Sequence, residues 1–300
     1  MPDTLRPRRS ALYVPGSNSR ALEKAQTLDA DVVILDLEDA VPADAKDAAR
    51  DAVASLVAAR SFGHREVVIR VNGLETLWVA RDIAAAVACR PDAVLIPKLS
   101  KIEDLRRARA ALAAAQAAAS IKLWAMIETP LAVLNARDIA AIAAMPGAPV
   151  GAFVMGLNDL AVEIGVRPKP GRAALLAHLA QPLAAARAHG LAILDGTYNS
   201  LDDWEGFHAE CEQGRDLGFD GKTLIHPRQV PIANQVFGPA PDEILWAQKV
   251  IAAFAERDNA GKNVIVLDGR MIERLHERQA RRVLDRQKAI EAAAAIVPPD

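Results

Sequence analysis

Two acidic residues stand where chemistry is easiest to place. Ile121-Lys-Leu-Trp-Ala-Met-Ile-Glu128-Thr-Pro and Val150-Gly-Ala-Phe-Val-Met-Gly-Leu-Asn-Asp159-Leu are short apolar runs, each the length of a buried strand, and each ends in a carboxylate where the chain must turn into a helix. If the two strands are parallel neighbours, Glu128 and Asp159 share one rim. Two carboxylates on one rim repel each other unless a proton or a cation lies between them, and all-oxygen donors suit a hard divalent cation such as Mg²⁺. Metal ligation by Glu128 and Asp159 is the sharper reading; helix capping or simple hydrogen bonding of the same groups is the plainer one.

The ends of the other apolar runs add to this set. They supply Pro15-Gly16-Ser17, then Asp36, Glu38 and Asp39, then Arg70 and Asn72, then Lys98, with Thr129 and Asn158 beside the two carboxylates, and finally Asp195 and His226. The opposite ends of the runs read as far less charged. Carboxylates outnumber fixed cations in the set, which is the physical case for a metal. Arg70 and Lys98 are placed to neutralise part of Asp36, Glu38 and Asp39, and those groups read equally as internal ion pairs. Arg70 is the candidate for a substrate carboxylate, because a planar guanidinium forms the two-pronged contact such a group prefers. His226, followed by Pro227, reads either as a general acid or base or as a hydrogen-bonded turn residue. There is no HExxH, GxSxG or Cys/His pair at useful spacing, so zinc hydrolysis and serine or cysteine nucleophiles have no motif behind them.

These residues need a scaffold that brings many strand ends to one face. Apolar runs at 11–15, 32–39, 66–72, 93–98, 121–128, 150–159, 191–195 and 222–226 alternate with helical stretches near 19–28, 43–59, 77–88, 101–118 and 202–217. Continuous rather than alternating apolar runs mean strands covered on both faces, and strand–helix alternation implies right-handed parallel crossovers. Eight such units predict an α/β fold, a (β/α)₈ TIM barrel. A doubly wound sheet is the rival, but no GxGxxG or Walker A run follows any early strand. After Pro227 the alternation stops. A helix over about 242–257, the run Val264-Ile-Val-Leu-Asp-Gly269 and a charged helix from Met271 to about Ala295 make a C-terminal helical extension. The expected division is a catalytic barrel over 1–238 and an arm or lid over 239–300. Met271, Leu275, Val283, Leu284 and Ile290 give the last helix an apolar stripe, suited to packing on its own barrel or on a neighbouring subunit.

Composition sets the outer bounds. Half of the 300 residues are apolar and the formal charge is −2, spread along the chain, so a large aliphatic core is available and nothing marks a nucleic-acid or membrane surface. Cys89 and Cys211 lie far apart in the sequence and read as ordinary buried thiols. The first residues carry positive charge but no apolar run follows, which predicts a cytoplasmic, reducing compartment.

Taken in order, Arg9-Ser-Ala-Leu-Tyr-Val-Pro15-Gly, Asp36-Leu-Glu-Asp-Ala-Val41 with Lys46 and Arg50, Arg70-Val-Asn72, Pro97-Lys98, Glu128-Thr129, Gly156-Leu-Asn-Asp159-Leu, Gly218-Phe-Asp-Gly-Lys222 and Ile225-His-Pro227 resemble the HpcH/HpaI aldolase/citrate lyase superfamily, in its citrate lyase beta subunit and malyl-CoA lyase branch. The resemblance implies a Mg²⁺-dependent barrel, commonly a trimer or hexamer, that makes or breaks a carbon–carbon bond in a 3-hydroxyacyl-CoA thioester of the malyl, citramalyl or citryl type. It carries the metal onto Glu128 and Asp159, and the substrate onto Arg70, Glu128, Glu38 and Asp39. Met271-Ile-Glu273 stands where many members have Met-Ile-Asp, which gives Glu273 a carboxyl role in a neighbouring subunit's site. Coenzyme A needs basic groups outside the mouth, for which Arg9, Arg20, Lys24 and Lys46 are available. Rival expectations are a thioester hydrolase on the same scaffold, an aldolase acting without coenzyme A, and a barrel that binds a thioester without turning it over.

Overall fold

The computed structural model describes residues 6–143, 150–167, 169–259 and 261–296; the first five residues, read above for leader character, lie outside these. Eight parallel strands close into a barrel in sequence order: β1 Ser10–Pro15, β2 Val32–Asp36, β3 Glu66–Arg70, β4 Ala93–Ile96, β5 Lys122–Ile127, β6 Val150–Met155, β7 Ala192–Asp195 and β8 Gly221–Leu224, with β8 pairing back onto β1. The expected (β/α)₈ barrel is therefore the fold of this chain. Helices α1 Ser19–Ala25, α2 Lys46–Ala58, α3 Val79–Cys89, α4 Ile102–Ala114, α5 Pro130–Ala143, α6 Leu157–Ile164, α7 Leu176–Ala188, α8 Trp204–Leu217 and α9 Val230–Phe237 are the crossover and covering elements.

Alternation within the strands decides what each rim residue can reach. Val32, Ile34, Val68, Ala93, Leu95, Trp124, Met126, Ala152, Val154 and Leu194 form one buried cluster, the barrel interior, with Tyr13 against it. Their odd-numbered or even-numbered partners, such as Val33, Leu35, Ile69, Ile127 and Ile193, belong to the larger layer between sheet and helices. Side chains two residues apart share a face. Asp36, Arg70 and Glu128 thus continue the inward rows of β2, β3 and β5 at the C-terminal end. Asp195 follows Ile193 and faces outward.

Arg8–Phe237 form one compact unit, and the described chain from Gly238 on, together with Arg6 and Pro7, forms a second. In that unit α10 Pro241–Ala255 packs on α11 Arg274–Ala294 around Ala247, Val250, Phe254, Ile265, Ile272 and Ala280. Between them lies an antiparallel hairpin, β9 Val264–Leu267 with β10 Arg270–Glu273. The expected helix start at Met271 is corrected here. Asp268 and Gly269 both hold positive φ, 48° and 74°, which is the two-residue turn that an Asp-Gly pair favours, and the chain returns as a strand before the helix begins. Of the residues expected to form the helix's apolar stripe, Met271 lies on β10 and is exposed, as is Leu275, whereas Val283 and Leu284 reach the cluster.

Candidate active site

The mouth is built around Arg70. Asp36 sits directly beside it across the β2–β3 ladder and accepts from both Nε and Nη2, each at 2.7 Å. The two-pronged edge assigned above to a substrate carboxylate is therefore taken by Asp36, and the remaining Nη1 edge is what can meet a ligand. Nη1 lies 2.9 Å from Glu38 Oε2 and 3.7 Å from Asp39 Oδ2. The Glu38 contact is ionic only, since that buried oxygen has no hydrogen-bond partner among the described residues. The guanidinium also stacks 4.9 Å from the Tyr13 ring centroid, and Met126 Sδ lies 3.9 Å from Nη1. Burial opposes the Arg70 charge, and the charge and hydrogen bonds of Asp36 more than reverse that, holding the group well above its ordinary pKa.

Glu128 lies one residue beyond β5, 1 % exposed, with Oε1 accepting from the Lys98 backbone N–H at 2.6 Å. Two backbone features make room for this. Lys98 holds φ at +54°, a left-handed conformation rare outside glycine, and that turn aims its amide at the carboxylate. Gly156, just past β6, has no side chain because a Cβ there would stand 2.4 Å from Glu128 Cβ and 2.5 Å from its Oε2. Asp159 follows in the first turn of α6 and has no hydrogen-bond or ion-pair partner among the described residues. Burial first, then the neighbouring charge of Glu38 and Asp159 against the opposing Lys98 amide and Arg70, push Glu128 up to about 8. Burial pushes Glu38 up to about 7, with Asp39 and Asp36 adding to it and Arg70 and Lys98 opposing. Burial lowers the exposed-tipped Lys98, and Glu38, Glu128, Asp159 and Asp39 more than restore it, so its pKa is raised.

Five carboxylates thus share one electrostatic neighbourhood with three cations, Arg70, Lys98 and, on the side of Asp36, Glu38 and Asp39, Lys46. That imbalance, together with the space kept by Gly156, fits a hard divalent cation held by Glu128 and Asp159. Among the described residues no three Asp, Glu, His or Cys converge tightly enough to hold an ion alone, so water or substrate oxygens would have to complete its shell.

Several residues expected at the site are placed elsewhere. Asp195 points into the layer between sheet and helices, where Arg172 Nη1 at 2.6 Å and Lys222 Nζ at 3.0 Å neutralise it. Arg9 precedes β1 and so lies at the N-terminal end of the barrel, paired with Asp31 at 2.7 and 2.8 Å. Together with the Arg8–Glu66 pair, it corrects the expectation that this end carries little charge. Lys46 is buried and donates to Leu37 O, Glu38 O and Asn72 Oδ1 at 2.7–2.8 Å, which leaves no proton for a coenzyme phosphate. His226 caps a short turn, its Nδ1 accepting from Arg228 N at 3.1 Å, the hydrogen-bonded alternative. Thr129 accepts from Ala132 N at the start of α5, and Asn158 pairs with Asn199. Arg20 and Lys24 are exposed on α1. In the second unit Glu273 ends β10, half-buried, its N–H bonded to His276 Nδ1 at 2.9 Å. The roles of Lys98's backbone turn, Gly156 and Tyr13 are not assigned by the sequence, although Tyr13 and Gly156 lie within the family-like segments.

A parallel barrel with a buried arginine and excess carboxylate at the C-terminal mouth has its polar groups where barrel enzymes carry their active sites. The chain belongs to the HpcH/HpaI aldolase/citrate lyase family, whose model matches residues 9–227. It is 50 % identical to a (3S)-malyl-CoA thioesterase of Cereibacter sphaeroides over 96 % of this chain and 98 % of that protein. It is 35 % identical to the citrate lyase subunit beta of Leuconostoc mesenteroides subsp. cremoris over 92 % of each chain. The crystal structure of CitE from Mycobacterium tuberculosis in complex with magnesium, acetoacetate and coenzyme A superposes with a TM-score of 0.76 at 27 % identity, covering 95 % of this chain and all of that one. Among the described residues no helix is long and apolar enough to cross a membrane.

Proposed function

We propose that this protein is a Mg²⁺-dependent hydrolase of malyl-type 3-hydroxyacyl-CoA thioesters, releasing the hydroxy acid and coenzyme A. The incompletely paired charge at the mouth carries the reading: Glu128 and Asp159 feel Lys98 but form no ion pair with it among the described residues, while Arg70 keeps one edge free of hydrogen bonds to carboxylate. A malyl group supplies what that mouth lacks, oxygens to complete a cation's shell and a carboxylate for Arg70. Bound at Glu128 and Asp159, Mg²⁺ would supply Lewis-acid polarisation of the oxygens it holds. Arg70 Nη1, backed by Asp36 and stacked on Tyr13, orients the substrate carboxylate beside Asp39. Glu38, poised at about 7, takes a proton from the attacking water near neutrality. The departing thiolate is protonated by Glu273 from the arm of another copy in a homo-oligomer of three or six chains. Arg20 and Lys24 remain the candidates for coenzyme A phosphates.

The 50 % relative named for thioester hydrolysis favours that outcome over the carbon–carbon lyase reading. Cleavage into a 2-oxo acid and a shorter acyl-CoA is the second reading, favoured by the citrate lyase relative and by a neighbour that holds magnesium, acetoacetate and coenzyme A. It uses the same residues, with the base acting on the substrate hydroxyl instead of water. Purified protein given malyl-, citramalyl- and citryl-CoA, with and without EDTA, separates them. Intact hydroxy acid plus free thiol means hydrolase; 2-oxo acid plus acyl-CoA means lyase. Binding without turnover under saturating Mg²⁺ would mean neither, and turnover indifferent to EDTA would remove the metal.

A further inference from the structure

The loop that carries Glu38 and Asp39 is gripped from two sides. On one side the Asp36 carboxylate accepts from Glu38 N at 2.9 Å and Ala40 N at 3.3 Å while it also holds Arg70. On the other, the Lys46 ammonium donates to the carbonyls of Leu37 at 2.8 Å and Glu38 at 2.7 Å, the two peptides that flank the Glu38 side chain. Its third proton goes to Asn72 Oδ1 at 2.7 Å, and Asn72 itself donates to Leu37 O at 2.9 Å and to Asp82 Oδ2 at 2.6 Å. Arg50 Nε holds the other Asp82 oxygen at 2.8 Å, so the grip is anchored on α2 and α3. A buried ammonium with all three protons committed to one loop and its brace fixes direction, because each acceptor constrains a different axis.

The consequence falls on one amide. In a trans peptide the N–H points opposite to the C=O, so a Glu38 carbonyl turned onto Lys46 directs the Asp39 N–H away from it. That N–H has no partner among the described residues, whereas the amides of Leu37, Glu38, Ala40 and Val41 all have one. Asp39 adjoins Arg70 Nη1, the edge not bonded to Asp36, which also lies 2.9 Å from Glu38 Oε2.

We propose that Lys46 is a positioning residue: by holding the Leu37 and Glu38 carbonyls it presents the Asp39 N–H and the Glu38 side chain to a carboxylate bound at Arg70. This rests on the proposed chemistry only for the identity of the anion. A misplacement of about 1 Å at such a contact costs on the order of 100-fold. Lys46→Met keeps the aliphatic stem against Trp78, 5.3 Å from the ammonium in the native protein. In that variant of the full chain, pyruvate affinity at saturating Mg²⁺, measured by calorimetry, is expected to fall by about 10- to 100-fold. Mn²⁺ affinity by electron paramagnetic resonance should stay within about 3-fold, amide exchange should quicken over residues 36–41 alone, and Lys46→Arg should recover part of the pyruvate affinity. If Lys46→Met does not fold, the smaller loss in Lys46→Arg is the reading. Unchanged pyruvate affinity, a parallel fall in Mn²⁺ affinity, or a wild type that binds no pyruvate overturns the proposal. A wild type that binds pyruvate but turns over no thioester removes the proposed reaction and leaves the role of Lys46 standing.

Discussion

Two regions of this barrel bury acidic groups, and they treat them in opposite ways. Between the sheet and α8, Asp195 and Glu210 meet Arg172 and Lys222 in a closed set of contacts: Lys222 Nζ lies 3.0 Å from Asp195 and 2.7 Å from Glu210, and Arg172 Nη1 lies 2.6 Å from Asp195. Burial raises the Asp195 pKa, and Lys222 and Arg172 more than reverse that, so the group ends below its ordinary value. At the mouth Glu128 is about as buried, yet its neighbours are Glu38 and Asp159, and it ends at about 8. Burial is shared; complete pairing is not. A buried charge that the fold neutralises by itself is architecture, and one left for something else to neutralise marks a place where a ligand belongs.

The sharpest way to break this contrast is Glu128→Gln. Removing the carboxylate should lower Mg²⁺-dependent turnover by about 1,000-fold, since the cation loses one of its two protein ligands. The same variant should be at least as stable as wild type without metal, by urea unfolding. A less stable, still active variant would place Glu128 with Asp195. Next in size, Lys222→Met leaves Asp195 and Glu210 with one cation and should cost roughly 3–5 kcal/mol in unfolding free energy, while kcat per folded molecule holds. Normal stability would mean the interlayer set is not neutralised as described. Gly156→Ala sharpens the comparison without altering charge. The added methyl would stand 2.4 Å from Glu128 Cβ, so Mg²⁺ affinity should drop about 10- to 100-fold with little change in secondary structure.

The smallest effect is in pH. Glu128 and Glu38 are raised to about 8 and about 7, so without metal the folded chain keeps protons that the unfolded chain has released. Their contribution to stability is whole below the ordinary carboxylate pKa and is lost as pH rises toward 8. Asp195, lowered, acts in reverse, its contribution present above the ordinary value and lost as pH falls. Mg²⁺ should therefore raise Tm by about 2–4 °C at pH 8, less at pH 6, and not at all in Glu128→Gln. A gain independent of pH would sever the metal from those carboxylates.

The barrel was legible because each strand announces itself as a short apolar run closed by a polar residue, and eight such runs in a row admit few folds. The rim positions of Asp36, Arg70 and Glu128 were legible for the same reason. Asp195 was misplaced because its run was read for where it ends and not for which side its last residue faces; counting back by twos to Ile193 would have turned it outward. The Asp268-Gly269 hairpin was likewise signalled by its residue pair.

By itself, then, the sequence determined the order of strands, the barrel they close, and which residues stand at its C-terminal end, because apolar periodicity and chain order are local properties. Tertiary structure alone decided how charges are shared. Whether Arg70 spends its paired edge on Asp36, whether Lys46 reaches solvent or two buried carbonyls, and whether Glu128 is balanced all depend on ångström distances between residues eight or more positions apart. Electrostatic energy in a low-dielectric interior changes steeply over such distances, and no residue's neighbours along the chain record them.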